Sequence, residues 1–326
     1  MIKRIGPAVV LFFMAPLVAE FLLGDLPVTM LPALVILAPM YGGGALLIRE
    51  IARRTGRGWP AIFGWGLAYA ICEEAFTTQT LFNPDYLHLN LHLLQPAYVP
   101  ALGIGIWWTV HVLTLHTVWS IAVSIALVES LVPARAAQPW LDNPGLPVTA
   151  VLFLLGAAAS TLVTLRQDPF VASAAQFATA AVACAAVIAA TFRLRSLPVS
   201  KAAAPPVWLP GVTALAAGSI FLMIPRQWAW GAVGLYLLLF IPVIVLVRRW
   251  SQSRGWNQMR RLALAGGAAL AYAWHAFIQT PAVGNAGTVD RIGNATFAAG
   301  LLAVLAVAAR RNAVMISKSE TTEAGG

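Results

Sequence analysis

With 60% hydrophobic side chains, 10% charged ones and a mean hydropathy of +0.78 over 326 residues, the chain is excluded from the soluble globular class. Its formal charge of +9 would suit a nucleic-acid partner, but Lys and Arg recur loop by loop between apolar runs, which excludes nucleic acid. Cys72 and Cys184 both lie inside apolar runs, so no extracellular disulfide framework is expected and redox chemistry is not suggested.

A bilayer core of about 30 Å takes about 20 apolar residues per helix. The sequence divides into ten such segments, roughly 5–23, 30–50, 59–82, 104–130, 147–166, 169–193, 207–224, 228–248, 261–280 and 291–309. The expected fold class is all-α, a polytopic integral membrane bundle of about ten helices. Continuous rather than alternating apolar runs disfavour a β-barrel. No connecting segment is long enough for a soluble domain, so any activity belongs to the bundle or its rims.

With the N-terminus inside, Lys3, Arg4, Arg49, Arg53, Arg54, Arg57, Arg135, Arg193, Arg195, Lys201, Arg248, Arg249, Arg254, Arg260, Arg261, Arg310, Arg311 and Lys318 fall on the cytoplasmic side. Only Arg166, Arg226 and Arg291 fall outside. This positive-inside asymmetry predicts both termini in the cytoplasm of a cell (inner or plasma) membrane, with basic loops anchored to anionic lipid.

Lys3 and Arg4 ahead of an apolar run resemble a signal peptide, but Glu20 and Asp25 follow at once, and an uncleaved first helix is expected. In the second segment, Gly42, Gly43 and Gly44 allow close helix packing, as do Gly156 with Ser160 in the fifth and the small-residue face of the ninth. Arg49 to Pro60 forms a basic cytoplasmic hinge, where Glu50 is expected to pair with Arg53 or Arg54 as surface structure.

The third segment carries Glu73 and Glu74 side by side. A carboxylate at mid-membrane costs about 2.5–3.5 kcal/mol, so an adjacent pair requires a polar cavity, a partner or a shared proton. At helical spacing Tyr69, Glu73, Thr77 and Thr80 share one face, with Glu74 and Thr78 beside it. Glu73 lies about 13 Å from the outer end of its helix. In the outer loop, Asp85, His88 and His92 have a spacing that could share a metal on a helix, while the alternation with Leu87, Leu89, Leu91 and Leu93 reads equally as an amphipathic cap on the outer leaflet.

The fourth segment offers His111 and His116, which point about 140° apart on a straight helix. His116 continues a stripe of Thr109, Ser120 and Ser124 at the depth of Glu73, and His111 sits nearer the outer mouth. The Pro- and Ala-rich stretches 131–147 and 194–210 read as linkers. They divide the chain into a four-helix part (1–130) carrying the Glu/His site, a six-helix membrane part (131–310) and a disordered cytoplasmic tail (311–326). No internal repeat is evident. In the ninth segment His275 shares a face with Gly267, Ala268, Ala271, Tyr272 and Gln279, and Asn294 early in the tenth could donate to the same cavity. Glu20, Glu129 and Asp290, near helix ends, are expected at the interface.

A buried carboxylate beside imidazoles can act as general base on water, or help hold a divalent metal such as zinc whose bound water becomes the nucleophile. The expected arrangement is an outward-facing polar cavity with Glu73 as general base, Glu74 as its orienting partner, and His116 or His111 with His275 stabilising an oxyanion or a metal. Proton- or ion-coupled transport through the same carboxylates and a non-enzymatic scaffold are the alternatives.

Glu73-Glu74-Ala75-Phe76-Thr77-Thr78, followed by Trp107-Trp108-Thr109-Val110-His111 and by His116 through Ser120 or His275 through Gln279, resembles the CAAX protease and bacteriocin-processing (CPBP) intramembrane endopeptidases. That family's first motif is Glu-Glu-x-x-x-Arg, and Thr78 stands at the arginine position. The resemblance spans at most about fifty residues. It implies His111 as the second-motif histidine and hydrolysis of a peptide or lipidated substrate, prenylated or bacteriocin-like.

Overall fold

In hydrocarbon every backbone N–H and C=O must be satisfied within its own segment, so apolar runs of this length fold as helices. The computed structural model describes residues 2–194, 198–284 and 287–324. Arg195 lies outside them, as do the side chains of Lys3, Arg4 and Lys318. Each of the ten expected segments carries a helix: α1 (Ile2–Pro16), α2 (Val28–Arg54), α3 (Gly58–Cys72), α4 (Ile106–Leu131), α5 (Gly145–Gln167), α6 (Ala174–Arg193), α7 (Trp208–Met223), α8 (Trp230–Ser251), α9 (Gln258–His275) and α10 (Thr288–Ala324). Among the described residues six helices are long and apolar enough to cross a bilayer, namely α2, α4, α5, α6, α8 and Thr288–Ser317 of α10. Ile5–Phe21 and α7 are apolar but shorter. The segment 311–326, expected as a disordered tail, continues α10 as helix to Ala324, and residues 325–326 lie outside the described part.

Helix α4 lies at the centre, packed against α1, α2, α3, α8, α9 and α10. Helices α5, α6 and α8 are peripheral: Leu154, Val182 and Leu238 are 63, 70 and 69% exposed, as side chains facing lipid would be. Small residues set the close crossings that the sequence suggested. A Cβ on Gly267 of α9 would strike the carbonyl of Gly211 in α7, and one on Gly42 of α2 would strike the carbonyl of Phe12 in α1.

The bundle departs from regular α-helix in four places. Wide π-helical turns occur at Leu17–Phe21 after α1, at Ala38–Gly42 within α2, at Glu73–Thr77 after α3 and at Leu115–Val123 within α4. Their i→i−5 bonds include Leu22 N–H to Leu17 O at 2.8 Å and Thr78 N–H to Glu73 O at 2.9 Å. Each such turn holds one residue more than an α-turn and rotates the side chains that follow.

Glu50, expected in a surface pair, is completely buried, and so is Glu129, expected at the interface. Arg49 joins them, donating from Nη1 to Glu50 Oε1 (2.7 Å) and from Nε to Glu129 Oε1 (3.1 Å). Arg53 binds Glu129 bidentately, at 2.8 and 2.6 Å, and Arg54 reaches Glu50 at 3.5 Å. The Arg49 guanidinium lies 3.5 Å from the centre of the buried Trp140 ring, whose backbone N–H donates to Glu50. The segment 133–142 folds over the end of α2, converting loop charges into a buried, saturated ion-pair cluster. Asp290 is likewise buried rather than interfacial.

On the opposite side of the bundle the connection 83–105 is irregular apart from a two-residue antiparallel pair, β1 (Tyr98–Val99) with β2 (Ile104–Gly105). Leu87, His88, Asn90 and His92 adopt positive φ, so the helical spacing assumed for Asp85, His88 and His92 does not exist. Asp168 pins this segment, accepting from Asn83 Nδ2 (2.7 Å) and from the N–H groups of Leu87 (3.0 Å) and Phe170 (3.2 Å). Burial works against its ionisation, but these three donors prevail and hold the carboxyl below the usual carboxylate range.

Candidate functional site

The two glutamates meet His116 inside the bundle. Glu73 and Glu74 open the wide turn after α3, and His116 lies in the wide turn of α4. They are 3, 4 and 7% exposed. His116 Nε2 lies 2.8 Å from Glu74 Oε1, and Nδ1 lies 3.2 Å from both Ser120 Oγ and Glu73 Oε2. The depth match between Glu73 and His116, read from helix lengths, is therefore met.

The two carboxylates differ in their partners. Glu74 is held: Thr78 Oγ1 donates to its Oε2 at 3.2 Å, Thr80 Oγ1 donates to the same oxygen, and Trp108 Nε1–H fixes Thr80 at 3.0 Å. Neither oxygen of Glu73 accepts an aligned hydrogen bond, although His116 is at ion-pair distance. The Tyr69 hydroxyl, within electrostatic reach of Glu73, also lacks a partner in hydrogen-bond geometry. Its ring occupies the space where Gly44 has no side chain. A buried, unpaired carboxylate beside an imidazole can take a proton from water or accept a cation.

Two further residues join the cluster that the sequence reading did not place there. Tyr41, in the wide turn of α2, stacks on the His116 ring (centroids 5.7 Å apart) and donates to Glu20 Oε1 at 2.5 Å. Glu20 belongs to the wide turn after α1. Every π-helical turn among the described residues thus supplies a member of this one cluster: Glu20, Tyr41, the glutamate pair and His116. The signal for Glu20 was a carboxylate within an apolar run. Tyr41 had none, because nothing in a local pattern distinguishes a packing tyrosine from one stacked on a histidine 75 positions away.

The other candidates lie apart. His111 sits in an aromatic stack between Trp107 (5.0 Å) and Phe221 (4.9 Å), with Nδ1 at 2.9 Å from the Tyr236 hydroxyl. Its group has no carboxylate partner, so the polar-stripe argument for His116 prevails over the motif spacing. His275 closes α9 with Nδ1 buried and unpartnered, and Asn294 donates to Ala276 O (2.9 Å) instead of entering the glutamate site. In the outer loop His88 approaches Asp85 at 3.6 Å, both largely exposed, and His92 does not join them. Among the described residues, Glu73, Glu74 and His116 are the one set of three His, Cys, Asp or Glu whose ligand atoms all lie within 4.8 Å of one another. Immediately before them, Cys72 meets Cys184 of α6 with sulfurs 3.2 Å apart, both as free thiols.

Residues 9–319 match a family model described as an uncharacterized membrane protein family. The match supports a membrane protein and does not extend to the CPBP endopeptidases that the double-glutamate motif resembles. No curated protein and no solved structure matches the chain.

Proposed function

We propose, from the premise that the chain belongs to that uncharacterized membrane protein family, that it is an intramembrane hydrolase acting on a substrate that partitions into the bilayer. The observation that carries this reading is the Glu73 carboxylate, buried, free of aligned hydrogen bonds and 3.2 Å from His116 Nδ1. In this reading Glu73 takes the proton of an attacking water, Glu74 fixes His116 through Nε2, and the imidazole stabilises charge on the attacked carbonyl. An amide or ester bond in a membrane-embedded or lipidated peptide is the substrate class suited to a site reached from lipid. Helices α5 and α6 cover the glutamate turn, with Phe153 against Tyr69 and Phe177 stacked on Phe76, and substrate enters by displacing them. All ten helices cross the membrane with both termini in the cytoplasm, as the distribution of Lys and Arg supports.

A second reading, proton-coupled transport, is favoured by one observation: Glu20 and Asp25 are further carboxylates within electrostatic reach of His116, joined to it through Tyr41 or to α9 through Gln279. The test reconstitutes purified protein in proteoliposomes with quenched fluorescent peptides, both lipidated and plain. Cleavage lost in Glu73→Gln, with the fold intact by circular dichroism, supports the hydrolase. Cleavage absent in the wild-type protein, together with a Glu73-dependent proton flux in a pH-dye assay, replaces it with the transporter.

A further inference from the structure

We infer that Glu73, Glu74 and His116 form a binding site for one divalent transition-metal ion, with zinc the best fit. This deepens the hydrolase reading and rests on it only for the use made of the ion. The primary observation is geometric. Donors about 2.1 Å from a tetrahedral ion lie about 3.4 Å from one another. Glu73 Oε2 is 3.2 Å and Glu74 Oε1 is 2.8 Å from the imidazole nitrogens, and one ligand atom from each residue falls inside a 4.8 Å circle. Small rotations of the carboxylates bring all three onto one centre.

The second observation is the orphaned acceptor. Both oxygens of Glu73, a residue 3% exposed, lack hydrogen bonds and border the space between the other two ligands. A buried acceptor left without a donor costs about 1–3 kcal/mol or more, and a cation removes that cost. Outer contacts are also those of a metal site. The Thr78 and Thr80 hydroxyls orient Glu74, Trp108 orients Thr80, and Ser120 Oγ at 3.2 Å accepts from Nδ1–H, which leaves Nε2 to face the ion. Charge agrees as well: two carboxylates and a neutral imidazole balance a dication inside the bilayer. One imidazole with two carboxylates suits zinc rather than a hard magnesium or calcium ion, and three protein ligands leave the fourth position open for water.

The experiment uses the full-length protein in detergent, stripped with chelator, reloaded with zinc or cobalt(II) and desalted. About one equivalent by mass spectrometry of the elements, with the visible absorption of tetrahedral cobalt, is expected for the wild-type protein and for His88→Ala and His275→Ala. Retention falls about tenfold or more in Glu73→Gln and His116→Ala, each verified as folded by circular dichroism and gel filtration. Should either fail to fold, Ser120→Ala replaces it, with a smaller loss expected. Less than a tenth of an equivalent in folded wild-type protein overturns the inference, and so does metal that survives Glu73→Gln and His116→Ala but leaves with His88→Ala. Stoichiometric metal without peptide cleavage upholds the metal site while ending the hydrolase reading. Cleavage by metal-free protein does the reverse.

Discussion

The molecule holds two buried ionic clusters, and their difference separates scaffolding from chemistry. At the cytoplasmic end of α2, Arg49, Arg53, Glu50 and Glu129 are fully paired, with Trp140 stacked on one guanidinium and backbone groups filling the remaining positions. Deeper in the bundle, Glu73, Glu74 and His116 carry two potential negative charges against one potential positive one, and Glu73 has no aligned donor. A saturated cluster has nothing left to offer a ligand, so it fixes helices α2 and α4 to the 133–142 segment. An unsaturated one keeps unused acceptor capacity at a position where that capacity is costly.

The contrast can be broken by mutation. The largest effect on stability is expected for Glu129→Ala, which strands Arg49 and Arg53 as buried cations. It should cost about 3–5 kcal/mol, read as a large drop in melting temperature in detergent or as a failure to accumulate. Next is Thr80→Val, which leaves Glu74 and the Trp108 indole N–H short of a partner and should cost about 1–3 kcal/mol, measured by chemical denaturation.

Smaller again is the contribution of Asp168, whose carboxyl is held below its usual range by Asn83 and two backbone N–H groups. A depressed folded-state pKa gives stability that is present above the unfolded value near 4 and is lost as pH falls through the folded value. Asp168→Asn should therefore lower the melting temperature at pH 7 and flatten its decline below pH 4. An unchanged acid limb would show that the pinned loop does not contribute. The smallest stability change belongs to Glu73→Gln, within about 1 kcal/mol because no aligned bond is lost. The same substitution should remove hydrolysis by a factor of about 10²–10⁴. If Glu73→Gln melted the protein as Glu129→Ala does, the distinction between the clusters would disappear.

Much of this was legible in the chain. Helix positions followed from apolar run length, because satisfying the backbone in lipid leaves one solution. The pairing of Glu73 with His116 followed from equal depth on adjacent helices. The saturated cluster was hidden because arginines between apolar runs read as loop anchors, and only tertiary folding of 133–142 over α2 buries them. Glu20 and Tyr41 were hidden for another reason. Periodicity arguments assume 3.6 residues per turn, and both residues occupy turns that break it. The left-handed residues Leu87, His88, Asn90 and His92 similarly defeated a helical reading of the outer loop, since none is a glycine that would signal such backbone.

The wide turns also fix how this cluster tolerates changes in length. Each behaves as a one-residue insertion in an otherwise regular helix, and about 100° of rotation separates the two registers. Deleting a single residue within Glu73–Thr77 or Leu115–Val123 would restore ordinary helix and turn one end of it away from its partners. The site is thus specified by reading frame along the helix as much as by side-chain identity, and a single-codon deletion that preserves every ligand would still dismantle it.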